Sequence, residues 1–222
     1  MKAVKEVSAL LLVLIFSVML AACSSAPSDG NTTQPQTAAA AKATEALPAE
    51  ATAQATQAAE TKAGSGKTLV VFFSATGTTK GVAEQIAAAT DADTYEILAA
   101  QPYTAEDLNW NDSNSRTTKE QNDKSVRPEI GSEKISLDGY DTIFIGFPIW
   151  WGEEPRILDT FAEKYKFDGI TVIPFCTSGG SGIGRSGPNM AALAGSGTWL
   201  DGKRFSGNVS EADLKSWIES LK

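Results

Sequence analysis

Val70-Val71-Phe72-Phe73-Ser74-Ala75-Thr76-Gly77-Thr78-Thr79-Lys80 is the stretch that decides the reading of this chain. Its first four residues are apolar and strand-forming, and they break into a short turn rich in hydroxyls. The turn runs directly into a helical pattern, Gly81-Val82-Ala83-Glu84-Gln85-Ile86-Ala87. A strand that ends on hydroxyls and backbone N–H groups at a helix N-terminus describes a phosphate site. The free amides and the helix dipole favour an anion, and Ser and Thr side chains add donors. The turn contains neither G-x-x-x-x-G-K-[ST] nor G-x-G-x-x-G, so it is not a Walker loop or a dinucleotide turn. The plain alternative is a hydroxyl-rich turn that only caps its helix.

Strand and helix patterns alternate on both sides of this turn. Thr68–Phe73 is a continuous apolar strand suited to the buried centre of a parallel sheet, and Thr79–Ala89 has helical periodicity. Tyr95–Leu98 predicts a second strand, Asp141–Phe147 a third and Ile170–Phe175 a fourth, with Thr198–Leu200 as a short last one. Pro155–Lys166 is amphipathic, with Ile157, Leu158, Phe161 and Tyr165 on one face. Asn189–Ala194 reads as helical, and Ser210–Leu221 is a terminal helix with Ser210 as N-cap and Asp213 at the capping-box position. Such alternation predicts one α/β domain over residues 67–222 with a parallel sheet and right-handed crossovers. Residues 99–134 break the rhythm. They are polar, include Tyr103 and Trp110, and form a long excursion of the kind that is either functional or poorly ordered.

In an open α/β sheet a ligand sits outside the carboxyl ends of the strands, where strand order reverses. Three loops are expected at that edge, after Phe73, Phe147 and Phe175. The second is Pro148-Ile149-Trp150-Trp151-Gly152-Glu153-Glu154-Pro155. Adjacent indoles point in different directions, so at least one is expected at the loop surface, where it suits stacking on a planar ligand. The other reading is that both wedge the following helix against the sheet. The third loop is Cys176-Thr177-Ser178-Gly179-Gly180-Ser181-Gly182-Ile183-Gly184-Arg185-Ser186-Gly187. Its glycines let the backbone approach a ligand closely and present its own polar groups. A flexible linker is the alternative there, although a linker rarely joins a buried strand to a helix.

Composition removes whole classes of function. The chain has 222 residues and a net charge of −8, which argues against nucleic acid as a partner. It has no histidine, so His-based metal sites, Ser-His-Asp triads and histidine general bases are excluded. No metal site and no catalytic side chain is expected.

A phosphate turn, an aromatic loop and a glycine-rich loop on one sheet edge describe a phosphorylated ligand with a flat, hydrogen-bonding ring system. The segments Phe73-Ser74-Ala75-Thr76-Gly77-Thr78-Thr79, Phe147-Pro148-Ile149-Trp150-Trp151-Gly152 and Cys176-Thr177-Ser178-Gly179-Gly180-Ser181-Gly182 resemble the three FMN-binding loops of the flavodoxin family. The resemblance covers residues 67–222 and departs at Thr78, where the family commonly has Asn. It implies a flavodoxin-like three-layer α/β/α sandwich with a five-stranded parallel sheet of order 2-1-3-4-5, and FMN as cofactor. It further implies that Ser74, Thr76, Gly77, Thr78 and Thr79 hold the FMN phosphate. Pro148, Ile149, Trp150, Trp151 and Gly152 would flank one side of the isoalloxazine; Thr177, Ser178, Gly179, Gly180 and Gly182 would meet the other side or the pyrimidine edge. The implied function is electron transfer to a redox partner protein; the alternative is an FMN-dependent NAD(P)H oxidoreductase acting on a quinone-like acceptor. No second nucleotide fingerprint is present, which favours the carrier. An aromatic face and an acidic domain would disfavour the reduced anionic ring, with Glu153 and Glu154 adding to this if they stand near it; as a pair, they also suit the first turn of a helix. Cys176 reads as a small buried hydrophobe rather than a redox thiol, and Arg185 as a solvated loop arginine.

The N-terminus carries a different message. Lys2 and Lys5 precede an apolar run from Val7 to Ala22 that ends Leu20-Ala21-Ala22-Cys23. The run is short of the about 20 residues of a membrane span. With its basic start and small-residue end it reads as a signal peptide over residues 1–22. Its ending resembles the bacterial lipobox, which implies lipidation at Cys23 and a protein anchored on the outer side of a bacterial membrane, the cytoplasmic or the outer one. With Cys23 lipidated, Cys176 has no disulfide partner. After Cys23, residues 24–66 are dominated by Ala, Thr, Gln and Ser and lack aromatics, so 23–66 is expected to be a tether without a core.

Overall fold

A computed structural model describes residues 66–222. The signal-like segment 1–22, Cys23 and the tether up to residue 65 lie outside the described residues. The apolar strands all form. The sheet is built from β1 (Lys67–Phe73), β2 (Asp93–Ile97), β3 (Tyr140–Pro148), β4 (Thr171–Thr177), β5 (Thr198–Trp199) and β6 (Lys203–Phe205), every pairing parallel. The order is β2-β1-β3-β4-β5, as expected, and β6 pairs with β4 beyond β5.

The fifth position of the sheet is therefore one strand in two pieces, and a proline explains the break. Leu200 N–H donates to Val172 O at 2.9 Å, and Ser178 N–H donates to Phe205 O at 3.1 Å. Even-numbered residues of β4 thus present their polar groups to the fifth strand. Of the two even residues between them, Cys176 pairs with Arg204, whereas Pro174 has no N–H to give. Opposite it the partner strand leaves the ladder at residues 200–202, and a Cβ on Gly202 would lie 2.8 Å from Pro174 O.

Strict alternation in β1 builds two cores. Leu69, Val71 and Phe73 pack with Ile157, Leu158 and Phe161 of α3 (Arg156–Lys164) and Met190 and Ala194 of α4 (Ser186–Ala194). Val70 and Phe72 pack with Val82 and Ile86 of α1 (Thr78–Thr90) and Leu214 and Trp217 of α5 (Glu211–Glu219). Each fully buried large apolar side chain contributes about 1.5–3 kcal/mol, and helices cover both faces of the sheet, giving the three-layer sandwich. Gly146 in β3 is dictated by this packing, because a Cβ there would run into the ring of Phe175 on the neighbouring strand.

The excursion 99–134 is built, not loose. It leaves and re-enters the domain through paired backbone bonds, Ala100 N–H to Glu129 O and Gly131 N–H to Leu98 O, each 2.8 Å. Inside it lies a helix that the polar sequence does not announce, α2 (Arg116–Asn122), capped by Ser115. Tyr103 Oη donates to Glu120 Oε2 at 2.7 Å, and the Arg116 guanidinium lies 4.0 Å from the Tyr103 ring centre.

Candidate functional site

The three loops meet at the carboxyl edge of the sheet. In the first, Gly77 adopts φ +85, which turns the chain into α1, and it is the N-cap of that helix without any side-chain cap bond. The hydroxyls of the turn therefore do not cap the helix, and the first turn carries no acidic residue. Thr76 and Thr78 are exposed with their Oγ1 atoms 3.4 Å apart. Ser74 Oγ is buried and has no hydrogen-bond partner. A buried unpaired hydroxyl costs about 1–3 kcal/mol, so a phosphate oxygen supplied by a ligand fits this turn. Thr79 differs from its neighbours: it is buried, and its Oγ1 lies 2.8 Å from Thr177 Oγ1 of β4. Only its backbone N–H is left for an anion.

In the second loop the two indoles have different surroundings. Trp150 is half-buried and packs edge-on against Phe73 of β1 at 5.5 Å and Tyr103 of the excursion at 5.3 Å between ring centres, rather than wedging α3 against the sheet. Trp151 is 44% exposed. A tight turn holds it out: Trp150 N–H donates to Glu153 O at 2.9 Å, and Glu153 N–H donates to Trp150 O at 3.1 Å. Both central residues have positive φ, +49 at Trp151 and +84 at Gly152, the pattern of a type I′ turn. Glycine adopts this freely, whereas a tryptophan held there costs about 1 kcal/mol or more.

The third loop is pinned at its base and free at its tip. Thr177 is buried; Ser178 N–H donates to Phe205 O, and Ser178 O accepts from Arg204 Nη2 at 2.7 Å. Gly179, Gly180 and Gly182 are exposed, with Gly180 N–H donating to Ser178 Oγ at 3.1 Å. Helix α4 begins at Ser186, so the glycine loop is shorter than its sequence suggests. Loops two and three are joined by Ile149 N–H to Thr177 O at 3.1 Å. Cys176 is fully buried, which pushes its thiol up to about 12, and Arg185 is exposed, each as expected.

A cleft of about 360 Å³ lies between the first two loops, lined by Ala75, Thr76, Thr79 and Pro148 to Trp151. Its remaining wall comes from the excursion, through Leu108, Trp110 and Thr117. Trp110 is 72% exposed at this rim. Of the expected site residues, Ser74, Gly77, Thr78, Gly152, Thr177, Ser178, Gly179, Gly180 and Gly182 stand on the loops around the cleft without lining it. The excursion residues are the part of the site that sequence reasoning missed; the signal available was two lone aromatics, Tyr103 and Trp110, in a polar segment.

Glu153 and Glu154 require a correction. They precede α3 rather than forming its first turn, and both turn to Arg156, which is 2% exposed. Glu153 accepts a short hydrogen bond from Arg156 Nη2 and one from Lys124 Nζ at 2.9 Å, and these two cations hold its carboxyl below the usual range. Glu154 is 1% exposed and accepts from Asn189 Nδ2 at 3.2 Å, so it belongs to the packing of α3 against α4. Asp159 accepts from Arg156 Nη1 at 3.1 Å. Burial and then the charge of Glu154 push its carboxyl up to about 6, against the pull of Arg156.

Comparison with known proteins bears on the same residues. A family model described as Flavodoxin matches residues 67–221. A solved flavoprotein structure from Bacteroides uniformis is 46% identical, covers 69% of this chain and 98% of its own, and superposes with a TM-score of 0.66. One from Bacteroides eggerthii is 44% identical over 70% of this chain and 98% of its own, also at 0.66. A flavoprotein from Lactobacillus acidophilus, solved in complex with FMN, shares the fold at 23% identity and a TM-score of 0.50, over 69% of this chain and 99% of its own. No curated protein matches the chain.

Proposed function

Because the chain belongs to the flavodoxin family, we propose that it is an FMN-binding electron-transfer protein held on the outer side of a bacterial membrane by a lipid on Cys23. The observation that carries the cofactor is Ser74 Oγ, buried without a partner in a hydroxyl turn that leaves the α1 amides uncapped. Ser74, Thr76 and Thr78 and the backbone of Gly77 and Thr79 would hold the phosphate. Trp151, exposed by its turn, would cover a ring face, and the Gly179–Gly182 backbone would meet its polar edge. When bound, FMN supplies reversible one- and two-electron chemistry. The chain itself contributes binding, exclusion of water by Trp150 and Tyr103 beneath the cleft, and acidic surroundings that disfavour added negative charge. Its partners on this reading are a redox protein or a small quinone-like acceptor.

The test is to purify the full-length protein, extract any bound flavin and identify it by chromatography, with FMN added to the colourless protein as the complement. FMN, not FAD, is expected, since the turn suits one terminal phosphate. Recovery of FAD alone, or failure to take up FMN, overturns the proposal.

A second reading has its own observation. Trp110 and Leu108 extend the cleft beyond the three loops, leaving a wall against which a second planar molecule could rest. This favours an oxidoreductase that takes electrons from NADH or NADPH and gives them to a quinone-like acceptor. Anaerobic addition of each nicotinamide to the FMN-loaded protein decides it: bleaching within seconds supports the enzyme, and no bleaching supports the carrier.

A further inference from the structure

Helix α2 reaches back to grip the aromatic turn. Gln121 is 7% exposed, and its Nε2 donates to Trp150 O at 2.9 Å and to Glu154 O at 3.2 Å. Those carbonyls bracket Trp151 and Gly152. From the other side, Arg156 Nη2 reaches Gln121 O at 3.4 Å and also the carboxylate of Glu153. The strained turn is thus held at both ends, by α2 and by the start of α3.

The chemistry of the position suits an amide. One nitrogen must offer two donors to two carbonyls in a buried place, without a charge. Gln121 Oε1 is buried and has no partner, so the two carbonyl bonds, not an acceptor contact, set the side chain's orientation. A positive φ at a tryptophan persists only where the surroundings impose it. Trp150 is fixed by its ring contacts, but the exposed ring of Trp151 makes no aromatic contact among the described residues, so the backbone of the turn must do the holding.

We infer that Gln121 is a positioning residue. It holds the Trp150–Glu153 turn so that Trp151 stands at the cleft, and it is a contact through which the excursion 99–134 supports that turn. The part of this inference that concerns the flavin ring rests on the FMN reading above; the grip on the turn does not.

The test compares Gln121→Met, which keeps the volume and removes both donors, with Thr118→Ala in the full-length protein. Thr118 sits on the same helix and donates to Asp112 O, so its loss weakens α2 without touching the turn. In the flavin-free protein, Q121M should speed amide exchange at Trp150 and Glu153 by about 30-fold, the equivalent of two lost hydrogen bonds, and T118A should not. Gln121→Ala, which also removes both donors and brings no charge, replaces Q121M if the latter does not fold. Unchanged exchange in the Gln121 variant, or an equal rise in T118A, overturns the grip. In protein loaded with FMN, the Gln121 variant should also brighten flavin fluorescence relative to T118A. Faster exchange with unchanged flavin emission would overturn the role toward the ring, while failure of the unaltered protein to bind FMN would count against the flavin reading alone and leave the exchange result to decide the grip.

Discussion

Thr79 Oγ1 and Thr177 Oγ1 share a buried hydrogen bond of 2.8 Å although 98 residues separate them. Thr177 O also accepts from Ile149 N–H, so this one strand end ties the hydroxyl turn, the aromatic loop and the glycine loop together. Removing one hydroxyl leaves the other buried and unpaired. Thr79→Val or Thr177→Val alone should cost about 1–3 kcal/mol in denaturant unfolding, and the double variant should cost less than the sum, because no orphan remains. Additive losses would show that the hydroxyls do not act on each other.

Ser74 behaves in the opposite way. Its hydroxyl is already buried without a partner, so Ser74→Ala should leave the flavin-free protein as stable as before or slightly more so. FMN affinity should nevertheless fall by about 1–3 kcal/mol, since a bond to phosphate is charge-assisted. Riboflavin, which lacks the phosphate, should bind unchanged. Titration of both ligands separates a phosphate contact from a structural role; equal weakening of the two would refute the contact.

The tandem tryptophans should part company on truncation. Trp150→Ala removes the ring packed on Phe73 and Tyr103 and should cost stability, though less than the about 3–5 kcal/mol of a fully buried tryptophan because Trp150 is half-buried. Trp151→Ala should hardly change the stability of the flavin-free protein, and Trp151→Gly should raise it by a few tenths to about 1 kcal/mol by relieving the positive φ. Both Trp151 changes should brighten bound FMN. Thermal melts of the apo form with emission of the loaded form read the two effects separately, and a large melt shift for Trp151→Ala would place that ring in the core instead.

Asp159 gives stability a pH dependence of unusual sign. Its folded-state carboxyl titrates at about 6, above the 3.8 of an ordinary aspartate, so the folded protein binds its proton more tightly than the unfolded chain does. Its contribution to stability is therefore largest below 3.8 and is lost as pH rises through about 6. Glu153 and Glu163 are shifted down from 4.5 and act in the other direction at lower pH. Between pH 4.5 and 6, then, stability should fall as pH rises, and Asp159→Asn should flatten that slope. Chemical unfolding at several pH values checks it, and a slope that survives Asp159→Asn would assign the effect to another group.

What the sequence determined by itself is what depends on short-range pattern. Continuous apolar runs at Thr68–Phe73, Asp141–Phe147 and Ile170–Phe175 can only be buried strands once helical periodicity follows each, and that alternation dictates a parallel sheet with its loops at one edge. The hydroxyl turn was legible for the same reason, since strand, turn and helix are neighbours in the chain. The break in the fifth strand and the division of labour between Trp150 and Trp151 were not, because each depends on a partner far away in sequence: Pro174 facing residues 200–202, and Phe73 with Tyr103 claiming one indole. Helix α2 is too short and polar for its periodicity to show, and it is fixed by Tyr103, Asp107 and the carbonyls of the aromatic turn. Glu154 reads in the sequence as an acid near the ring or in the first turn of a helix, and the fold instead closes Arg156, Asp159 and Asn189 around it. Local chain chemistry decides where strands and turns occur; which side chain is buried, paired or left facing the cleft is decided by contacts that exist only after the layers have packed.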